Sequence, residues 1–316
     1  MNMGSNKGQT PEVCILLSTY NGVRFLREQI NSVLAQEGVN VRIIVRDDGS
    51  KDATVDILKE YVSNNTNIVF IQGTNKGVEE SFYALLKASF SNGVSDYYAF
   101  CDQDDIWYPN KLYSAIKELE GETIPALYCA NQLVTDSNLT PVSLMLSPEE
   151  RDALKERMQS NYFPNRHGCT MVWNNLLQKV LRGIDATLDF TPAHDVWLNL
   201  VAHCSGRVIL GEQALQLYRI HNMNVAGLAD SKIKRFKKGV KIYWLQDNRW
   251  SDYAKACIEY FPKDIQEGEG WDFLEKVAAY RSSIRNKMIL VKKPQFWNTG
   301  VASGIFRAIS VFIEKY

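Results

Sequence analysis

Three carboxylates stand together at Asp102-Gln103-Asp104-Asp105, directly after the apolar and aromatic run Tyr97-Tyr98-Ala99-Phe100-Cys101. A short apolar run ending in a polar turn reads as a buried strand of a parallel sheet. In open α/β sheets the groups that meet a ligand lie just beyond the carboxyl ends of such strands. Asp102 and Asp104 would then reach the rim of a crevice together and share one hard cation, Mg²⁺ or Mn²⁺, with phosphate oxygens completing its shell. The competing reading is structural: an acidic strand-to-helix turn in which Asp105 or Asn110 caps the helix from Lys111 onward.

The elements that must position these acids can be read from periodicity. Apolar runs at 13–18, 41–46, 68–71, 97–101 and 126–130 predict strands. Between them, Leu26, Ile30, Val33 and Leu34, then Val55, Leu58 and Val62 (with Asp52 as N-cap), then Val78, Phe82, Leu85 and Leu86, then Leu112, Ile116 and Leu119 trace amphipathic helices. This alternation predicts an α/β protein, a Rossmann-like and mostly parallel sheet flanked by helices. Further on, Ser147-Pro148-Glu149-Glu150 is a capping box with Pro at N1. Helices are predicted from Asn174 and from Ala193-His194-Asp195, and strands at 208–210 and 214–218. From Ala229 the chain reads as helical and aromatic, opening on a basic run from Lys232 to Lys241 that contains no acid.

Composition narrows the function classes. The 316 residues are 45% hydrophobic and 23% charged, and 36 basic residues balance 36 acidic ones, so no global field recruits nucleic acid. The six cysteines form no C-x-x-C pair, which predicts reduced thiols in a cytoplasmic protein rather than a disulfide frame or a zinc site. The polar stretch 1–10 predicts no cleaved leader, and no apolar run approaches the ~20 residues that span a bilayer.

The other strand ends carry groups suited to a nucleotide. Tyr20 offers a ring to a base, while Thr19 and Asn21 offer hydrogen bonds. Asp48 can accept from a pyrimidine N3–H or from ribose, Gly49 admits close backbone, and Asn75 and Gly77 border the same pocket. Each is also ordinary turn chemistry. No G-x-G-x-x-G follows the first strand and no G-x-x-x-x-G-K-[ST] occurs, which disfavours a dinucleotide site and excludes a P-loop. Phosphates would then depend on a cation seated at Asp102 and Asp104.

The order T-Y-N, D-D-G-S, N-x-G, D-Q-D-D resembles the nucleotide-sugar half of an inverting family 2 glycosyltransferase with a GT-A fold. Gly168-Cys169-Thr170-Met171, His194-Asp195-Val196-Trp197-Leu198 and Tyr218-Arg219-Ile220-His221-Asn222 resemble its bacterial rhamnosyltransferase branch. The resemblance spans about residues 12–227 and implies a catalytic domain over 1–228, with a nucleotide-sugar half at 12–130 and an acceptor half at 131–228. The segment 229–316 is then a helical extension. It implies Asp104 as the main metal ligand, Asp102 toward ribose or metal-bound water, and Asp195 as the base that takes the acceptor proton; helix capping is the alternative for Asp195. His194 stands where the family more often has Glu, and has no assigned role. His221 is either a further ligand or a structural hydrogen-bonder, Arg219 a phosphate partner or a loop anchor, and Trp197 an acceptor-pocket wall or core. The implied donor is dTDP-β-L-rhamnose, with a UDP-hexose as the near alternative. The implied acceptor is a lipid-linked surface glycan. A nucleotidyltransferase is a competing class, against which the missing Gly-rich loop counts. The basic run and amphipathic C-terminus suit either a peripheral contact with the inner membrane face, packing on the catalytic domain, or a second subunit.

Overall fold

The computed structural model describes residues 10–163, 166–221, 249–297 and 301–315. The basic run from Lys232 to Lys241 lies outside them. The chain runs β1 (Glu12–Thr19), α1 (Leu26–Leu34), β2 (Asn40–Asp47), α2 (Thr54–Asn64), β3 (Ile68–Gln72), α3 (Val78–Ser89), β4 (Tyr97–Cys101) and β5 (Ile106–Trp107). There follow α4 (Lys111–Leu119), β6 (Ala126–Thr135), β7 (Pro141–Leu144), α5 (Pro148–Ser160), β8 (Met171–Asn174), α6 (Asn175–Asp185), α7 (His194–Ser205) and β9 (Arg207–Arg219). The last described elements are α8 (Trp250–Tyr260), α9 (Glu269–Ala279), α10 (Ile284–Lys292), α11 (Pro294–Trp297) and α12 (Val301–Phe312).

The strands form one sheet in the order β3-β2-β1-β4-β8-β6-β9-β5, with β7 beside β6. Its first half is parallel throughout (β3, β2, β1 and β4), as the alternating pattern predicts. Beyond β4 it becomes mixed: β8 runs antiparallel to both β4 and β6, while β9 runs parallel to β6. The inner parallel strands β1 and β4, and the C-terminal half of β2, are buried on both faces, and residue alternation sorts their side chains into two cores. Cys14, Leu16, Ile44, Tyr98 and Phe100 join the core under α3, α6 and α7. Val13, Ile15, Leu17, Ile43, Val45 and Ala99 join the one under α1, α2 and α4. Leu16 is fully buried, and truncation there to Ala would cost about 2–5 kcal/mol.

The helical C-terminal segment is fused to this body. Tyr253, Cys257, Trp271, Phe273 and Leu274 share the first core with Leu154 and Met158 of α5 and with Trp197 of α7. No described helix is long and apolar enough to cross a membrane.

Several strands differ from the sequence-based expectation: β7 is absent from it, and β6 runs on past residue 130 to Thr135. β8 is only four residues, buried throughout and followed at once by an amphipathic helix, so its apolar run merges with the helix signal. β5 is a two-residue strand created by pairing with β9. The runs at 208–210 and 214–218 are one strand, β9, which continues through Gly211 where an added Cβ would collide with the Tyr128 hydroxyl.

Candidate active site

The ends of β1, β2 and β4 meet through side chains that lock three loops together. Gln103 accepts through its amide oxygen from Thr19 Oγ1 (2.6 Å) and from the Tyr20 N–H (2.9 Å), and donates back to the Tyr20 carbonyl (3.1 Å). The middle residue of the D-x-D motif therefore clamps the Thr19-Tyr20-Asn21 turn. Thr19 is buried, while the Tyr20 ring is 40% exposed and open to a planar ligand. Asn21, with φ 49°, donates its N–H to Ser50 Oγ (2.8 Å) and accepts from the Lys51 N–H (2.9 Å), which ties the first loop to the second.

Asp48 is turned inward. At 3% exposure its carboxylate accepts from Arg46 Nη1 (2.6 Å) and from the backbone N–H groups of Lys76 (3.0 and 3.1 Å) and Gly77 (2.8 Å). A carboxylate has roughly four lone-pair sites, and these contacts occupy them. Asp48 thus shapes the loop carrying Asn75 and Gly77, both exposed, rather than presenting a free acceptor to a base. Gly49 permits this approach: its φ is +78°, and a Cβ there would meet the Asn75 backbone nitrogen at 2.7 Å.

The three acids after β4 diverge. Asp104 Oδ2 lies 2.8 Å from His221 Nε2, just past the end of β9, so the two residues singled out as ligands are side by side. The His221 ring packs on Phe25 at 4.8 Å. Arg219 is buried and donates to the Asp104 carbonyl (3.1 Å), to the Ser137 carbonyl (3.2 Å) and to Glu28, with its guanidinium 4.3 Å from the centre of the Phe25 ring. These contacts anchor the loop after β4 to the end of β9.

Asp105 points into the protein, fully buried, and accepts from Gln216 Nε2 (2.9 Å) and the Arg219 N–H (3.4 Å). The cap position of α4 falls on Asn110, whose side chain accepts no backbone N–H of the helix. Asp102, Asp105 and Cys169 bring ligand atoms within 4.8 Å of one another. That cluster already has a neighbouring cation. Lys111, fully buried, donates to the Cys169 carbonyl (2.6 Å) and to Gln216 Oε1, and sits 3.5 Å from the Trp107 ring centre. Burial pulls the Lys111 ammonium down to about 8, against the opposing pull of the nearby thiols and acids. The sequence did carry a signal for it: Lys111, Ala115 and Leu119 share one apolar stripe of α4.

Asp195 approaches from α7. The cap position of that helix falls on Ala193, so Asp195 is not the cap; its Oδ1 accepts the neighbouring Val196 N–H (2.7 Å). His194 is wedged between Phe82 (stacked, 4.0 Å) and Phe100 (edge-on, 4.9 Å), and burial lowers its pKa, which keeps the ring neutral. Gly168 lies against both residues, where a Cβ would collide with His194 Nε2 and reach the Asp195 Cβ at 3.6 Å. His194 therefore acts as an aromatic wedge that sets the start of α7. From the C-terminal segment, Tyr253 Oη accepts the Ala193 N–H (2.8 Å). Trp197 is 1% exposed and packs on Phe190 and Tyr253, which makes it core and not pocket wall.

The acids act on one another electrostatically. Burial first, then the charges of Asp104 and Asp195, raise Asp102 to about 7, while the Cys169 thiol opposes the shift. Asp104 is also raised by burial and restrained by His221. Between the ordinary value of 3.8 and about 7 the folded chain keeps a proton on Asp102 that the unfolded chain has lost. Folded stability must therefore fall as pH rises through that window. Asp102→Asn is expected to flatten this dependence: urea midpoints at about pH 5 and about pH 7.5 should differ less for the variant than for the parent. Equal differences in both proteins would refute this electrostatic picture.

The donor set suits a divalent ion. Asp104 and the His221 imidazole are O and N ligands of the kind that Mn²⁺ accepts, while Asp102 lies with Asp105 and Cys169.

Comparison with known proteins shows the family and the fold. Residues 14–181 match the family model for glycosyl transferase family 2, and the chain belongs to that family. It is a transferase with a GT-A-like fold. An uncharacterized glycosyltransferase of Rickettsia typhi is 27% identical over 278 residues, covering 86% of this chain and 80% of the relative. A dTDP-rhamnosyl transferase, RfbG of Shigella flexneri, is 29% identical, covering 74% of this chain and 80% of the relative. Among solved structures, the Pyrobaculum calidifontis mannosyltransferase PcManGT, in complex with GDP-Man and Mn²⁺, superposes with a TM-score of 0.58 at 16% identity over 98% of this chain and 89% of that one. The S. aureus protein TarS, in complex with UDP-GlcNAc, gives 0.52 at 14% identity over 96% of this chain and 90% of that one.

Proposed function

We propose that the protein is a metal-dependent inverting glycosyltransferase that moves L-rhamnose from dTDP-β-L-rhamnose to a lipid-linked glycan of a bacterial surface polysaccharide, working at the inner face of the membrane. The observation that carries the chemistry is the pairing of Asp104 with His221, together with the charge that Asp104 and Asp195 both exert on Asp102. The rhamnosyl donor is supported by the 29% identity to a dTDP-rhamnosyl transferase and by the motifs around Gly168, His194 and His221.

In this reading Tyr20 lies against the base, with Asn75 and Gly77 bordering the nucleotide. Asp48, through Arg46 and the backbone of Lys76 and Gly77, holds that border in shape. Asp102 faces ribose or the metal, and Asp104 and His221 hold Mn²⁺ or Mg²⁺. A bound divalent ion supplies Lewis-acid stabilisation of the diphosphate charge that grows as the donor bond breaks. Asp195 accepts the proton of the attacking acceptor hydroxyl. The new C1–O bond forms as the old C1–O(phosphate) bond breaks, and one direct displacement inverts the anomeric centre. The raised pKa of Asp102 fits a site completed by a cation.

Isothermal calorimetry with dTDP and with UDP, each in the presence of Mn²⁺, tests the donor. dTDP is expected to bind at least about tenfold tighter, a difference of about 1.4 kcal/mol. Tighter UDP binding would assign a UDP-hexose donor instead. Failure of both nucleotides to bind would remove the nucleotide-sugar reading.

A further inference from the structure

α12 is amphipathic in the wrong sense for a helix that faces water. Arg307 and Ser310 are buried at 6% and 0%, while Ile305, Ile309, Phe312 and Ile313 are 38–49% exposed. Those four positions, spaced i, i+4, i+7 and i+8, make one continuous stripe. The orientation is fixed by packing. Gly304 lies so close to Trp297 that a Cβ there would collide with the indole, and Val311 is fully buried. The Arg307 guanidinium covers the Phe296 ring at 5.3 Å, and Ser310 Oγ donates to the Arg307 carbonyl at 2.7 Å.

A neighbouring helix adds to the same kind of surface. On α10, Ile284 is 66% and Met288 44% exposed, and Lys292 continues their stripe one turn further. α10 and α12 are joined at their ends: Lys287 Nζ pairs with Glu314 at 2.6 Å and donates to the Phe312 carbonyl at 3.4 Å. Scattered exposed apolar side chains need no explanation, but six on two tied helices do.

Charge selects the occupant. From Arg281 to the last residue there are seven lysines and arginines and one acid, Glu314. Of these bases Arg285 and Lys292 are exposed beside the apolar stripe. Two copies of such a face would repel one another, whereas an anionic lipid surface receives both the apolar side chains and the cations. We propose that α10 and α12 dock on an anionic bilayer surface, with Ile305, Ile309, Phe312 and Ile284 entering the interface and Arg285 and Lys292 meeting the headgroups. This deepens the membrane placement of the proposed function, but it rests on α10 and α12 and not on the chemistry of the cleft.

Co-sedimentation with phosphatidylcholine vesicles, with and without phosphatidylglycerol, tests it on the full chain without nucleotide. The protein is expected to bind only the phosphatidylglycerol vesicles, less tightly as salt rises. Ile309→Ser with Phe312→Ser should weaken binding by at least about tenfold. Arg285→Glu with Lys292→Glu should do so separately, with circular dichroism unchanged and turnover on a soluble acceptor retained. Absence of vesicle binding by the parent protein, or binding indifferent to both variants, would overturn the proposal. So would a dimer in light scattering that the Ile309/Phe312 variant dissolves, since a second copy would then own this face. Vesicle binding without nucleotide-sugar turnover would leave the docking intact and remove only the enzymatic reading.

Discussion

Asp195→Asn is expected to slow nucleoside diphosphate release in the presence of acceptor by about 10²–10⁴-fold, the usual contribution of a positioned general base. The KM for the donor should stay within about twofold, because Asp195 comes from α7 and not from the strand ends that border the nucleotide. Folding should be little affected. Asp195 is not the cap of its helix, and the hydrogen bond it accepts from the Val196 N–H can be kept by an amide oxygen. The rate–pH profile offers a second readout, since the variant should lose the limb that reports ionisation of the base. A variant with unchanged turnover would remove Asp195 from catalysis. Attention would then pass to Glu79, whose carboxyl is raised by desolvation and by the charge of Asp195.

The second large effect is expected at the Asp104–His221 pair. Asp104→Asn should abolish most activity, by about 4 kcal/mol or roughly a thousandfold, if the pair holds the ion that balances the leaving diphosphate. His221→Ala should lose less and be partly recovered by raised Mn²⁺, because one neutral ligand is missing while the carboxylates remain. The two variants thus separate charge from coordination in a single metal titration of the initial rate. Unchanged Mn²⁺ dependence in both would move the ion to the Asp102–Asp105–Cys169 cluster. The buried Lys111 ammonium beside that cluster argues against this: it already supplies positive charge, and its donors fix Gln216 and the Cys169 carbonyl.

Much of this was legible in the linear chain. The continuous apolar runs of β1, β2 and β4 are legible because a strand buried on both faces has no polar position to confuse the pattern, and α1 to α4 show their apolar stripes. The chemistry-bearing acids were legible too, because a parallel sheet delivers whatever follows a strand to one edge. Local sequence thus determined which residues stand at the strand ends and which helix carries Asp195 in its first turn.

Tertiary structure decided which way each of them faces. Asp102, Asp104 and Asp105 are near neighbours, yet one lies with Cys169, one pairs with His221 just past β9, and one is buried against Gln216. Nothing local distinguishes them, because the partners of Asp104 and Asp105 lie more than a hundred residues away. Asp48 looked like a ligand for a base until Arg46 and the loop after β3 closed around it. The short strands β5 and β8 exist only through pairing with distant strands, and Trp197 became core only when α8 brought Tyr253 against it. The exposed stripe on α12 is the same lesson reversed. Its spacing was visible in the sequence, but only the close packing of Gly304 on Trp297 turned the apolar side outward.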